Sequence, residues 1–247
     1  MSKALYLASG YIKRCLLLWK IPGYDLIFLH REAAPLGPPV FEWVMVKILR
    51  KKLIYDFDDA IWLPNTSKQN RMAAILKWHS KTSSIISWSH TISCGNAWLA
   101  AFAGAWNTRV KIIPTTIENT WLALPAKVHT NGNLVRLVWT GTHSTMKYLE
   151  DLLPCLDDLN NIVNFELLLI SNQMPVWSRA YLRFEFWNKE QETQQLMQGD
   201  IGLMPLRDTD WEKGKCGFKA IQYMSLGIPA LASPVGVNSA IIDHGKN

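Results

Sequence analysis

Residues 199–236 read GDIGLMPLRDTDWEKGKCGFKAIQYMSLGIPALASPVG. The apolar run Ile201 to Met204 predicts a short strand, and the charged stretch Arg207 to Lys215 predicts a loop. From Phe218 to Leu226 the apolar residues recur at helical spacing. Gly227-Ile228-Pro229 stops that helix, because glycine accepts the turn that closes it and proline cannot continue it. Ala230 to Ala232 then begins another strand, and Gly236 opens a glycine loop. Strand, loop, helix, turn and strand in so short a span make a parallel β-α-β unit.

The same alternation extends toward the N-terminus. Met1 to Lys20 opens the chain as a helix. Tyr24 to His30 (YDLIFLH) reads as a buried strand, Phe41 to Arg50 (FEWVMVKILR) as a helix and Leu53 to Phe57 (LIYDF) as a strand. Arg71 to His79 reads as helix, and two short strands near Ser84 to Ile86 and Thr91 to Ser93 flank a turn. Ala97 to Phe102 is helical and Val110 to Ile113 a strand. Residues Glu118 to Asn133 hold one proline, one glycine and three asparagines without a period, which reads as a linker. The alternation then restarts: strand Val135 to Thr140, helix Met146 to Leu159, strand Phe165 to Ile170, helix Lys189 to Gln198. Strands apolar on both faces and alternating with helices mark parallel α/β sheets. The fold class is therefore α/β with two parallel-sheet domains, 1–117 and 134–247, joined by a linker at 118–133. Ligands of such sheets bind beyond the carboxyl ends of the strands, so the expected site is a central cleft that the two domains face.

The 247 residues are 49% apolar and 19% charged, an ordinary globular composition that excludes a disordered chain. The net charge of +6 suits an anionic ligand or membrane surface. The basic residues form no dense run, which argues against nucleic acid as partner. Cys15, Cys94, Cys155 and Cys216 form no CxxC pair, so reduced thiols are expected rather than disulfides or a zinc site. The apolar opening segment is interrupted by Lys3, Lys13, Arg14 and Lys20 and has no signal-peptide cleavage pattern. A cytoplasmic protein is expected, with a possible seat at the inner face of a membrane. Trp19 and Trp43, beside basic residues on amphipathic helices, fit either core anchoring or such an interface.

Several segments carry chemistry on their residues alone. The helix from Phe218 would present free backbone N–H groups at its start, with Lys213, Lys215 and Lys219 close by, which suits phosphate; a solvated loop before a core helix is the competing reading. Asp56, Asp58 and Asp59 end a strand, where Asp58 and Asp59 could orient a substrate or help with a proton. A divalent cation, or a plain turn with Asp59 as a helix cap, are the other readings of these acids. His30, Arg31 and Glu32 end the preceding strand and either line a binding site or form a buried Arg–Glu pair. Thr142 could meet phosphate, while Ser144 or Thr145 could cap the following helix. Neither GxGxxG nor a Tyr-x-x-x-Lys pair is present, which speaks against a nucleotide-sugar epimerase.

The quoted segment also resembles the signature of the retaining glycosyltransferases of the large group 1, or family 4, type. Gly217, Met224, Gly227, Pro229, Pro234 and Gly236 keep its frame. IYDFDDAIWLP (54–64) resembles a strand-end motif of that family's N-terminal domain, VKIIPTTIE (110–118) the segment before its linker, and WTGTHSTMKYL (139–149) the first strand, loop and helix of its donor domain. The family's two glutamates fall on Gly214 and Gln222, so this chain resembles a subgroup in which both are replaced.

The resemblance implies two Rossmann-like domains of the GT-B kind. It implies transfer of a sugar, with retention, from a nucleotide-diphosphate sugar to a polysaccharide, glycolipid or cell-envelope glycan acceptor, without a bound cofactor or metal. It places the donor at Gly141, Thr142, Lys147, Lys215, Lys219 and Gln222, the acceptor near His30, Arg31 and Glu32, and the chemistry at Asp58 and Asp59. It leaves Glu212 or Lys215 to stand in for the first glutamate. Against the family's pattern the chain lacks an opening strand and the closing helices, so a chain truncated at both ends is expected. A non-catalytic relative that binds a nucleotide or a partner is the alternative.

Overall fold

The computed structural model describes residues 3–64, 76–124, 127 and 134–247. Most of the expected helix 71–79 and half of the linker lie outside the described residues. The chain divides into two compact units, residues 1–114 with 213–216, and residues 115–212 with 217–247.

The first unit holds a four-stranded, all-parallel sheet. In chain order its elements are helix α1 (Lys3–Leu18), strand β1 (Leu26–His30), helix α2 (Val40–Trp43), strand β2 (Lys52–Phe57), helix α3 (Lys81–Trp88), strand β3 (Thr91–Cys94), helix α4 (Ala97–Gly104) and strand β4 (Val110–Ile112). The strands lie in the order β1-β2-β3-β4. The last turn of the α2 region widens into a π turn, Val44–Ile48.

The expected strand at Ser84–Ile86 is instead the middle of α3. Strands β2 and β3 are parallel neighbours, and a parallel pair needs a crossover, which α3 supplies. Ile85 and Ile86 look strand-like because they are β-branched, but both are fully buried on the helix. The serines around them return their hydroxyls to backbone carbonyls: Ser83 to Ser80, Ser87 to Ser84, and Ser89 to Ile85, at 2.8, 2.8 and 2.7 Å.

Alternate residues of β2, Leu53, Tyr55 and Phe57, are fully buried, as are Ile85, Ile92 and Leu99 of the same unit. Each such side chain contributes about 1.5–3 kcal/mol relative to exposure. Strand β1 departs from the expectation of two buried faces, since Leu26 and Phe28 are exposed. Helix α1 also leaves Leu5, Ile12 and Leu16 exposed on one stripe, Trp19 just beyond the helix is exposed too, and Lys13 and Lys20 are exposed beside them.

The second unit holds a five-stranded parallel sheet in the order β7-β6-β5-β8-β9. Its elements are helix α5 (Asn119–Leu122), strand β5 (Val135–Gly141), helices α6 (Met146–Glu150) and α7 (Leu153–Asn160), strands β6 (Phe165–Ser171) and β7 (Leu182–Phe186), helix α8 (Glu192–Leu196), strand β8 (Ile201–Met204), helices α9 (Asp210–Lys213) and α10 (Phe218–Ser225), strand β9 (Ala230–Ala232) and helix α11 (Asn238–Ile241). The single helix expected at 146–159 is two, broken at 151–152 just ahead of Pro154. Strand β7, LRFEF, is an edge strand that the polar alternation of its residues concealed.

Here both sheet faces are covered. Leu137, Trp139, Phe165, Leu167 and Leu169 point into one cluster with Met146, Leu149 and Leu156 of α6 and α7. Val138, Leu168 and Ile170 point into the other with Leu196 of α8 and Tyr223 of α10. The period of two sends neighbouring residues of one strand to opposite layers, so a continuous apolar run is what a doubly covered strand needs. Close packing makes Gly202 of β8 obligatory, since a Cβ there would stand 2.3 Å from the buried Tyr223 ring.

Candidate functional site

In the first unit the functional side chains gather where β1 and β2 end. His30 and Asp56 occupy paired register positions, and His30 Nδ1 lies 2.7 Å from Asp56 Oδ2. The next residue, Arg31, takes the left-handed conformation at φ 61° while its N–H bonds Asp56 O at 2.7 Å. For an arginine this costs about 1–2 kcal/mol. The turn delivers its guanidinium to both acids: Nη2 is 2.8 Å from Asp58 Oδ1 and 2.7 Å from Asp59 Oδ2. Burial disfavours the charged guanidinium, but hydrogen bonds and the charges of Asp58, then Asp59, raise its pKa above the ordinary arginine value.

Glu32 turns the other way, onto the buried Lys81 at 2.7 Å. Lys81 also donates to Ala34 O at 2.7 Å, and Glu42 accepts from Ala33 N at 2.8 Å. The buried partner of Glu32 is therefore Lys81 and not Arg31.

The segment 213–216 belongs to this unit. Asn96, the cap of α4, accepts from Leu99 N at 2.9 Å and donates to Lys213 O and Lys215 O at 3.2 and 3.0 Å. Cys216 Sγ donates to Asp58 O at 3.2 Å. Lys215 Nζ lies 3.3 Å from Asp59 Oδ1. Asp59 thus joins Arg31 and Lys215, and its carboxylate caps no helix among the described residues. Burial, with the nearby Asp56 charge, pushes the Cys94 thiol up to about 12.

In the second unit the helix starts α6, α8 and α10 follow β5, β7 and β8, and so lie toward the carboxyl ends of these parallel strands. Gly141 ends β5, where a Cβ would meet Trp139 at 2.5 Å. Thr142 and Ser144 share a hydroxyl bond of 2.8 Å, and Thr145, at the cap position of α6, donates its hydroxyl to Thr142 O at 2.9 Å instead of capping the helix. Lys147 follows in the first turn of α6, 4.9 Å from the Tyr148 ring centre.

Helix α10 follows Gly217, which is left-handed at φ 72° and supplies no side-chain cap, and among the described residues no side chain accepts from its first N–H groups. In its first turn Lys219 Nζ donates to Gln222 Oε1 at 3.0 Å, and the fully buried Gln222 donates Nε2 to Glu192 Oε1 at 3.2 Å. Burial lowers the Lys219 pKa from the usual lysine range, with Glu192 acting against the shift. Glu212 is buried and accepts from Tyr148 and Thr209.

The structure thus brings together His30, Arg31, Asp58, Asp59 and Lys215 in the first unit, and Lys219 with Gln222 in the second. Sequence reasoning passed over Glu192, thirty residues from its partner, and did not single out Asp56 from its neighbours. The strand-end position of Asp56, level with His30, was the available signal. Among the described residues no three His, Cys, Asp or Glu side chains converge as metal ligands. No described helix is long and apolar enough to cross a membrane.

Two Rossmann-like units, each with an all-parallel sheet, give the chain the GT-B architecture of glycosyltransferases. Among solved structures it is similar to a glycosyltransferase from Rickettsia africae, at TM-score 0.64 and 10% identity over 98% of this chain and 66% of that one. It is similar to sucrose-phosphate synthase from Thermosynechococcus elongatus, at TM-score 0.59 and 15% identity over 89% of this chain and 59% of the other. A variant of S. aureus TarM, solved with UDP, alpha-GlcNAc-glycerol and fondaparinux, matches at TM-score 0.56 and 10% identity over 93% of this chain and 47% of that one. The chain spans about half to two thirds of the length of these structures. No protein-family profile matches it, and no curated protein does.

Proposed function

We propose that this protein transfers a sugar from a nucleotide-diphosphate sugar to a hydroxyl of a glycan or lipid-linked acceptor, with retention, in building a polysaccharide or cell-envelope glycan. The observation that carries the reading is the start of α10, an uncapped helix N-terminus with Lys219 in its first turn, on a sheet of GT-B type. Such a terminus attracts anions through its N–H groups and dipole. The developing charge on a leaving diphosphate is the main thing such an enzyme must stabilise. In this reading the second unit, with Gly141, Thr142, Lys147, Lys219 and Gln222, holds the donor. His30, Arg31 and Glu32 serve the acceptor, and Asp58 and Asp59 are the catalytic carboxylates. No resident cofactor or metal is invoked. The UDP bound in the S. aureus TarM variant supports a nucleoside diphosphate as ligand.

The proposed setting is cytoplasmic, with a peripheral contact at the inner membrane face. The exposed Leu5, Ile12, Leu16 and Trp19 beside Lys13 and Lys20 support that contact. Gly214 and Gln222, standing where the resembled family has glutamates, favour the second reading of a non-catalytic nucleotide binder.

Isothermal titration with UDP, GDP and their hexose conjugates tests the donor site. Binding of one nucleotide that weakens in Lys219→Ala supports it. No binding by a folded protein overturns it. Binding without transfer to any hydroxyl acceptor selects the second reading.

A further inference from the structure

The second unit carries a cavity of about 430 Å3 at the amino ends of its strands, away from the helix starts of α6, α8 and α10. Phe165 and Glu166, which open β6, line it together with Ala180 and Tyr181 just before β7, Asn160 closing α7 and Asn164 just before β6. Its volume falls within the range of small-molecule sites, about 300–1,000 Å3. Ligands of a parallel sheet ordinarily sit beyond the carboxyl ends, so this cavity is separate from the proposed donor site. Asn160 and Asn164 are exposed, and among the described residues neither side-chain amide has a hydrogen-bond partner. Each amide offers two donors and one carbonyl acceptor. The acid of the lining, Glu166, is already compensated: it accepts from Arg136 Nε and lies 3.7 Å from Arg183 Nη1. The Phe165 and Tyr181 rings pack with centroids 4.8 Å apart. The Tyr181 hydroxyl donates to Asp157 at 2.6 Å, and Arg179 Nε donates to the same carboxylate at 2.8 Å, which holds the tyrosine ring in place.

We infer that this cavity binds a neutral saccharide. A sugar hydroxyl both donates and accepts, which matches two amides that offer donors and acceptors together. An anion would meet Glu166, and a cation would compete with Arg136 for the same carboxylate. A purely apolar ligand would strip water from both amides without replacing its hydrogen bonds, which is unfavourable. The C–H groups of a sugar ring are apolar and suit the Phe165–Tyr181 pair, while its hydroxyls suit Asn160 and Asn164. The site lies wholly within the second unit and does not depend on the transfer reading.

Saturation-transfer NMR of the purified protein with methyl α-glucoside, methyl α-galactoside, N-acetylglucosamine and maltotriose tests it. Binding of at least one of these in the millimolar range is expected, as befits a small ligand with few contacts. Asn160→Ala combined with Asn164→Ala should weaken that binding at least about tenfold. Ala180→Trp, at an exposed position, should fill the cavity and abolish binding, with nucleotide titration within about twofold of wild type. Tighter binding of maltotriose than of methyl α-glucoside supports a glycan chain as the source of the sugar, and equal binding supports a single sugar. Binding that survives both sets of substitutions overturns the inference. So does the absence of binding by a folded protein at sugar concentrations up to about 50 mM. Nucleotide titration of the same sample reports on the donor site independently, so either reading can fail without the other.

Discussion

At the strand ends of the first unit the acids are partnered: Asp56 meets the His30 ring, Asp58 meets Arg31, Asp59 meets Arg31 and Lys215, and Glu32 meets Lys81. At the strand ends of the second unit a glycine turn starts a helix whose N–H groups have no side-chain cap, and lysines stand in the first turns of α6 and α10. Paired charges of both signs make a polar surface of little net charge, suited to a neutral polyhydroxyl group. Uncapped N–H groups with nearby lysines make an anion site. On the proposed reading one fold repeated along a chain carries two chemistries, and the difference lies in how the charges at the sheet ends are compensated.

The largest expected effect tests whether the ion pairs of the first unit are structural. Lys81→Met leaves Glu32 and the Ala34 carbonyl without their buried cation and should cost about 3 kcal/mol in denaturant unfolding. A loss confined to transfer activity, with stability intact, would instead make Lys81 part of the acceptor site. Next comes packing in the second unit. Gly202→Ala should cost about 2 kcal/mol, because the Tyr223 ring that it meets is buried and its hydroxyl reaches Leu203 O at 3.4 Å. Adding Tyr223→Leu should return most of that loss in melting temperature.

The comparison itself is sharpened by nucleotide titration. Lys219→Ala should weaken UDP or GDP binding about tenfold, the value of one charge-assisted hydrogen bond, and His30→Gln less than about twofold. Equal losses would dissolve the distinction between the two sites. The smallest effect is electrostatic. Asp151 is held below the ordinary carboxylate value by its hydrogen bond to Arg207, against burial and with help from the charges of Arg207 and Lys147. Such a depressed group adds stability that is complete above about pH 4 and disappears as the pH falls through its lowered value. Arg207→Ala should therefore cost less than about 1 kcal/mol at about pH 6, since both groups are half exposed, and the gap to wild type should close toward about pH 2. A gap that persists in acid would show that Arg207 acts through packing.

The second unit was the more legible in sequence. LVWT, FELLLI and IGLM are apolar on consecutive positions, and both faces of these strands are covered. In the first unit, SSIIS carries β-branched residues at helical positions, and only the need for a crossover between β2 and β3 makes it a helix. The edge strand LRFEF was missed because one polar face breaks the apolar run.

The sequence by itself determined the alternation of elements and the candidate residues at strand ends, because side-chain period and turn chemistry are local properties of the chain. Which residues become partners was decided only by tertiary structure. Lys215 lies four residues before Lys219, yet Lys215 meets Asp59 in the first unit and Lys219 meets Gln222 in the second. His30 meets Asp56 through strand register, and Glu192 meets Gln222 across thirty residues. Hydrogen bonds and ion pairs are fixed by distance in space, and for groups so far apart along the chain only the folded arrangement sets that distance.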